Sequence, residues 1–384
     1  MFGRNDKSDK SLEDNNKYSK NNQLTPKGRK FIRYWSIAII VVFLIVGSYM
    51  AGIVYSDKQA DISKHIERMN PNITEPVLTS GEMNSINNNT PTKVITGLYI
   101  DKIDDISLSD SKWTTDFYIW FRWNGSNVNP GENFQVIDGN IEKKELKDNY
   151  TNGSQHYQIY YVRANIKKFF DVLRFPVDNH VLTLDIEDEQ LEKSDMVYVV
   201  DDNASQISSR VQIPGYEIDK MGVIEKTHFY KSNFGDPRLN SNTTAFSQLR
   251  AGIEISRPDI GFYFRIFIGL FVAVGAALLA LLIRPNNAET RFVLGSGALF
   301  VAIANTIITS ELIPKTGVMT LADMVNDLGL ILILMTLIES TISIYLYQKK
   351  DEDLLSKKMD MITLIILFFA YIIINAVIVA AAFI

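Results

Sequence analysis

The chain has 384 residues, 46% of them hydrophobic, and a net charge of only −5 at pH 7, values ordinary for a soluble protein, yet its apolar residues are gathered into blocks. Cysteine is absent, which excludes disulfides, thiol chemistry and cysteine-ligated metals. The histidines at 65, 156, 180 and 228 show no metal spacing, and no phosphate-cradling glycine loop or nucleophile elbow occurs, so neither an enzyme nor a cofactor is expected.

Residues 1–34 form a basic tail ending in Lys27, Arg29, Lys30 and Arg33, and Trp35–Val54 follows almost without charge. Positive charge ahead of a span keeps that side cytoplasmic, so 35–55 is expected to be a transmembrane anchor. A cleaved signal peptide is the alternative, disfavoured by the long leader and about twenty apolar residues. Residues 56–92 are polar, with an asparagine run at Asn87–Asn89 and prolines at 71, 76 and 91, and are expected to be a linker with room for a short helix.

From Lys93 the pattern changes to strands. Val94–Ile103, Trp113–Trp123, Gln155–Ile166, His180–Glu187, Met196–Val200, Val223–Tyr230 and Gln248–Ser256 are rich in β-branched and aromatic residues, with Asn124-Gly125, Asp138-Gly139 and Asn152-Gly153 as turns. This punctuation predicts a β-sandwich over 93–258, with no helix of sandwich-covering length between the strands. Four further apolar blocks, near Gly261–Ile283, Phe292–Ile313, Leu321–Tyr347 and Met361–Ile384, place a helical membrane domain at 259–384. Arg284 and Arg291 bracket one short inner turn, and Lys349, Lys350, Lys357 and Lys358 mark another. That topology leaves the tail cytoplasmic and 56–258 outside a multi-pass protein of the cell membrane. The fold class expected is therefore an α+β membrane protein: an extracellular β-sandwich, then a four-helix transmembrane bundle, plus one N-terminal transmembrane helix.

Within the second of those later blocks, Glu289, Val293, Gly297, Phe300, Ala304, Ile307 and Glu311 recur at steps of four or three and share one helical face, with Ser296 about 40° off its axis. A rise of about 1.5 Å per residue sets the two glutamates roughly 33 Å apart, near the thickness of a bilayer. Arg291 falls on the opposite side. A pore-lining helix has this form, and it encloses water only when several copies form a ring. The other reading is a packed membrane helix whose small residues Gly295, Gly297, Ala298, Ala302 and Ala304 let neighbours approach. As a pore, Glu289 would concentrate cations at the narrow mouth, Glu311 would assist in the outer vestibule, and Phe300 and Ile307 are candidate hydrophobic gates.

Five motifs resemble those of the pentameric ligand-gated ion channels, the Cys-loop receptor superfamily. Asp110-Ser-Lys-Trp-Thr-Thr-Asp-Phe-Tyr-Ile-Trp-Phe-Arg-Trp123 is similar to that family's loop and second strand, and Phe170-Asp-Val-Leu-Arg-Phe-Pro-Val-Asp178 to its signature loop without the cysteines, as in prokaryotic relatives. Ile255-Ser-Arg257-Pro258 before Phe262-Tyr-Phe264 resembles the entry to the first bundle helix. Ile313-Pro314-Lys315-Thr316, then Leu321-Ala-Asp323 with Glu339 further on, resemble the linker and third helix. The resemblance spans roughly Pro91 to Ile384.

The resemblance implies a ring of five subunits, a homopentamer or a heteropentamer, embedded in membrane lipid, which binds a small extracellular ligand of unread identity and passes monovalent cations. It implies no nucleic-acid partner. Gating coupling is expected from Asp110, Phe175, Pro176, Asp178 and Arg257, with an arginine fork bridging the two carboxylates, and from Pro314 and Lys315. By position, Tyr198 and Phe234 would belong to one side of the ligand pocket and Trp120 and Arg122 to the complementary face, each with an equal reading as sandwich core or rim. His180 beside Asp178 reads as an ordinary loop residue. Asp327 and Asn375 are polar groups expected to contact neighbouring helices or lie at the outer interface. The extra first span departs from the family. So does the apolar inner half of the stripe, which keeps open the alternatives of a non-conducting membrane receptor or an envelope-interaction protein.

Overall fold

The computed structural model describes residues 24–73, 90–125, 127–235, 243–257, 260–350 and 352–384. They form two units. One holds the sheets (Ser56–Phe262 and Glu311–Val318), and the other is helical (the chain up to Tyr55, Tyr263–Ser310 and Met319–Ile384).

In the sheet unit the strands are β1 (Thr92–Ser107), β2 (Lys112–Asn124), β3 (Phe134–Val136), β4 (Gly139–Asn152), β5 (Gln155–Lys167), β6 (Asn179–Asp188), β7 (Met196–Val200), β8 (Gln206–Ile207), β9 (Glu217–Tyr230) and β10 (Thr244–Ser256). One sheet runs β4-β5-β2-β1-β7 with β8 also on β1, and the second runs β3-β6-β10-β9. Alternation builds their shared core: Trp113, Phe117, Ile119, Phe121, Leu182, Leu184, Ile186, Leu249, Ala251 and Ile253 are buried. Phe121 meets Phe134 of the other sheet at 5.4 Å between ring centroids, and the Tyr198 amide donates to Ser247 Oγ at 2.9 Å.

Strand β4 has no counterpart in the sequence reading. Its residues, among them Lys143, Lys144, Glu145 and Lys147, carry no apolar alternation, because it is an edge strand paired only with β5 and its side chains are largely exposed. Charged edges of this kind resist pairing with other chains.

Helix α1 (Pro26–Arg68) corrects the reading of an anchor at 35–55 followed by a linker at 56–92. It starts early because Thr25 Oγ1 accepts the Gly28 amide at 3.1 Å and Pro26 occupies the first helical position. It continues past the apolar span because nothing breaks it before the Asn70-Pro71 pair, which disfavours helix at residue 70. Its last residues, from Ser56, belong to the sheet unit, where Lys226 of β9 and Arg250 of β10 donate to its final carbonyls. The asparagine run at 87–89, Pro76, Pro258 and the tail to residue 23 lie outside the described residues.

The helical unit contains the earlier part of α1 with α2 (Gly261–Ala280), α3 (Ala288–Ser310), α4 (Leu321–Lys350) and α5 (Asp353–Phe383). All five helices are long and apolar enough to cross a membrane, as in a multi-pass membrane protein. Close approach rests on glycine. A Cβ at Gly329 would fall 2.6 Å from Leu270, and one at Gly295 would fall 2.4 Å from Leu337. Polar bridges add specificity: Asn305 donates to Asn326 at 2.9 Å, Asn326 to Thr309 at 2.8 Å, Trp35 to Thr363 at 3.0 Å, and Tyr263 to Asn375 at 3.3 Å. Helix α4 opens on a reciprocal cap, in which Asp323 accepts the Thr320 amide at 2.9 Å and Thr320 Oγ1 accepts the Asp323 amide at 3.1 Å.

Candidate functional site

Helix α3 has two contrasting faces. Arg291, Gly295, Ala298, Ala302, Asn305 and Thr309 are buried at steps of four and three, whereas Glu289, Val293, Ser296, Gly297, Phe300, Ala304, Ile307 and Glu311 are all exposed. Phe300 is 76% exposed, Val293 64% and Ile307 56%, so the stripe makes no contact that covers it within its own chain. Glu311 stands one residue beyond the last helical residue, Ser310, and groups with the sheet unit. Ser296 Oγ donates back to the Val293 carbonyl at 3.2 Å, so this hydroxyl spends its proton within the helix.

The buried face is pinned by charge. Arg291, 1% exposed, donates through Nε to the Ile283 carbonyl at 2.7 Å and through Nη2 to Asp360 Oδ2 of α5 at 2.5 Å. Glu339 of α4 lies fully buried, with its carboxyl beside that of Asp360. The buried Arg291 guanidinium requires the Ile283 carbonyl and the Asp360 carboxylate, because a buried charge that loses its partner costs about 3–5 kcal/mol.

A second cluster lies in the sheet unit around Asp178, which is 1% exposed. Arg257 Nε donates to Asp178 Oδ1 at 2.7 Å, Arg257 Nη2 to Tyr216 Oη at 2.7 Å, and Tyr216 Oη to Asp178 Oδ2 at 3.3 Å. His180 Nε2 shares a 2.5 Å hydrogen bond with Asp178 Oδ2. The guanidinium also lies over the rings of Tyr216 at 4.2 Å, Phe262 at 4.4 Å and Phe175 at 5.5 Å. Burial alone would raise the Asp178 pKa, but the His180 hydrogen bond and the charges of His180 and Arg257 outweigh it and hold the carboxyl well below its usual range. Burial, then the Asp178 charge, pushes the Tyr216 hydroxyl up.

Two sequence expectations are corrected here. Asp110 does not share the arginine fork; it is exposed and faces Lys112 at 3.4 Å, and Tyr216 takes its place. His180 is a buried strand residue of this cluster rather than an ordinary loop residue. Phe175 joins through its ring, and the Phe175–Pro176 bond is cis. Pro314 is half-buried and Lys315 exposed.

The expected ligand residues separate. Trp120 Nε1 and Arg122 Nη2 both donate to Asp201 Oδ2, at 3.1 and 2.6 Å, on β2. Tyr198, 2% exposed, is packed against Phe121 inside the core and offers no face to a ligand, which corrects its assignment. Phe234 is 69% exposed in the left-handed backbone region at φ 50°, stabilised as its amide donates to Ser232 Oγ at 3.0 Å. Its ring meets Tyr230 at 5.4 Å and borders an open cavity of about 490 Å³, with Phe246, Glu187, Glu189 and Glu192.

Beneath that cavity Glu187 is fully buried and accepts from Tyr230 Oη at 3.0 Å and Gln248 Nε2 at 2.7 Å, and it pairs with His228 Nδ1 at 2.5 Å. Burial lowers the His228 pKa, but the hydrogen bond and charge of Glu187 reverse this and raise it. Sequence reasoning passed over Glu187, His228, Tyr230 and Phe246. The signal was present, since 228 and 230 alternate onto one face of β9, opposite 246 in register.

In sequence comparison no family model matches the chain, and no curated protein is significantly similar to it.

Proposed function

We propose that this chain is one subunit of a ring-forming, ligand-gated ion channel, with an extracellular β-sandwich that binds a small ligand, followed by a four-helix bundle whose helix α3 lines a cation-conducting pore. The carrying observation is the exposed stripe of α3, with Phe300 at 76%, backed by a face pinned through Arg291 to Asp360. A bundle that buries an arginine and leaves phenylalanine, valine and isoleucine bare on one line supports a role for that line outside its own subunit. Acidic residues near both ends, Glu289 and Glu311, favour cations. Five copies follow the family resemblance, and a cyclic ring is the symmetry that gathers one face of each around an axis.

In this reading the cluster of Asp178, Arg257 and Tyr216 couples ligand binding to α2, whose first residues follow Arg257 closely in the chain. The ligand enters near Tyr230, Phe234 and Phe246, over Glu187. The basic residues at 27–33 and in the inner turns orient the protein in the cell membrane with the tail cytoplasmic.

Purified full-length protein in planar bilayers, scanned over pH, amines and amino acids, tests this. A cation current that Glu289→Lys abolishes supports the channel. Silence in an assembled ring supports a non-conducting receptor, a reading favoured by the apolar inner stripe of Val293 and Gly297, where the Ser296 hydroxyl is already engaged.

A further inference from the structure

The last turns of α1 hold the sheet unit by three independent features. Arg174, 3% exposed in the loop 170–178, donates through Nε to Asp57 at 3.3 Å, through Nη2 to Asp61, and through Nη1 to Asn179 Oδ1 at 2.6 Å. His65, one turn beyond Asp61, pairs with it at 3.1 Å, and Lys64 faces Asp171 of the same loop at 3.6 Å. Spacing of four puts Asp57, Asp61 and His65 on one face.

The second feature is a socket. Gly222 of β9 and Gly252 of β10 stand directly opposite each other, and a Cβ at Gly252 would fall 2.4 Å from Met69 Sδ, so paired glycines leave the hollow that Met69 fills. Third, the helix end is capped by cations. Lys226 Nζ donates to the Glu67 and Arg68 carbonyls at 3.4 Å each, and Arg250 Nη1 to Arg68 O at 3.3 Å. A helix merely resting on a sheet needs none of these.

Loop 170–178 is therefore gripped from two sides. Asp178 meets Arg257 at one end, and Arg174, four residues earlier, is held by carboxylates of α1. We propose that Asp57 and Asp61 are positioning residues for this loop, acting through Arg174 to hold it in the conformation in which Asp178 meets Arg257, so that α1 regulates opening. The regulatory half rests on the channel reading.

Hydrogen exchange on the full-length protein in lipid tests the positioning half without any current. In Asp57→Asn/Asp61→Asn, the Phe175 and Val177 amides, bonded to Val172 and Arg174 carbonyls, are expected to exchange on the order of tenfold faster, with the β6–β10 ladder unchanged. Asp61→Glu restores protection, and Gly252→Ala, which displaces Met69 while leaving every charge, loosens the same loop. Unchanged loop protection in the double variant, or equal loss across both sheets, overturns the proposal. In planar bilayers with symmetrical sodium chloride, the double variant is expected to change spontaneous open probability roughly threefold or more at unchanged single-channel conductance. An unaltered open probability refutes the regulatory half. A wild type that passes no current refutes the channel reading and with it regulation, while exchange still decides the positioning.

Discussion

Arg257 donates to Asp178 at 2.7 Å while its second nitrogen donates to the Tyr216 hydroxyl at the same distance, so one guanidinium organises a buried carboxylate and a half-buried phenol at once. The flat face of that guanidinium lies on Tyr216 and Phe262, which lysine cannot reproduce.

Replacing Arg257 by glutamine leaves Asp178 only His180 and the Tyr216 hydroxyl, and is expected to cost about 1.5–3 kcal/mol in denaturant unfolding of the sheet unit. Arg257→Lys is expected to recover only part of this, because it loses the fork and the stacking. Full recovery with lysine counts against the geometry described.

The depressed Asp178 carboxyl has a worked pH consequence. Its contribution is present above the unfolded value, about 3.9, and is lost only as pH falls through the still lower folded value. Unfolding midpoints of wild type and Asp178→Asn should therefore differ at pH 7 and still differ at pH 5. Convergence by pH 5 contradicts the pairing.

His228 titrates in the opposite sense. Its pKa is raised by Glu187, so its stabilisation is fully present below the unfolded value, about 6.5, and fades as pH rises through the folded value. Thermal melts from pH 6 to 9 are expected to show a decline in wild type that His228→Gln flattens. The same slope in both proteins contradicts the assignment.

In the helical unit, Asp360→Asn is expected to cost about 3–5 kcal/mol because it strips Arg291 of its charged partner. Glu339→Gln, which leaves the Arg291–Asp360 pair in place, is expected to cost less than Asp360→Asn. Thermal aggregation of the detergent-solubilised protein reads both, and the reverse order of effects contradicts the role given to Asp360.

Much of the architecture was legible because it is written in periodicity. Alternation marked β2, β5, β6 and β10, and the long uncharged blocks marked all five apolar helices. Strand β4 was not, since an exposed charged edge carries no apolar rhythm. The extension of α1 to Arg68 was hidden for a related reason. Its face of Asp57, Asp61 and His65 is polar because the partner is the buried Arg174, and a charged interface looks like solvated surface until the partner is known. The Asp178–Arg257 pair was read correctly from the motifs, but the third member was taken to be Asp110, whereas the chain supplies Tyr216 from a turn that no pattern flagged. Tyr198 was misassigned because an aromatic at a strand end reads the same whether it faces core or rim.

In the proposed channel the stripe from Glu289 to Ile307 faces water on a common axis, and the absence of cysteine makes the native chain a clean background for cysteine scanning. Single cysteines at Val293, Gly297, Phe300, Ala304 and Ile307, and as controls at the buried Ala298 and Ala302, would be treated with a charged methanethiosulfonate during bilayer recording. Current block is expected at the first five positions and none at the two controls. A current indifferent to reagent at all five stripe positions, in a channel that conducts, would contradict that arrangement.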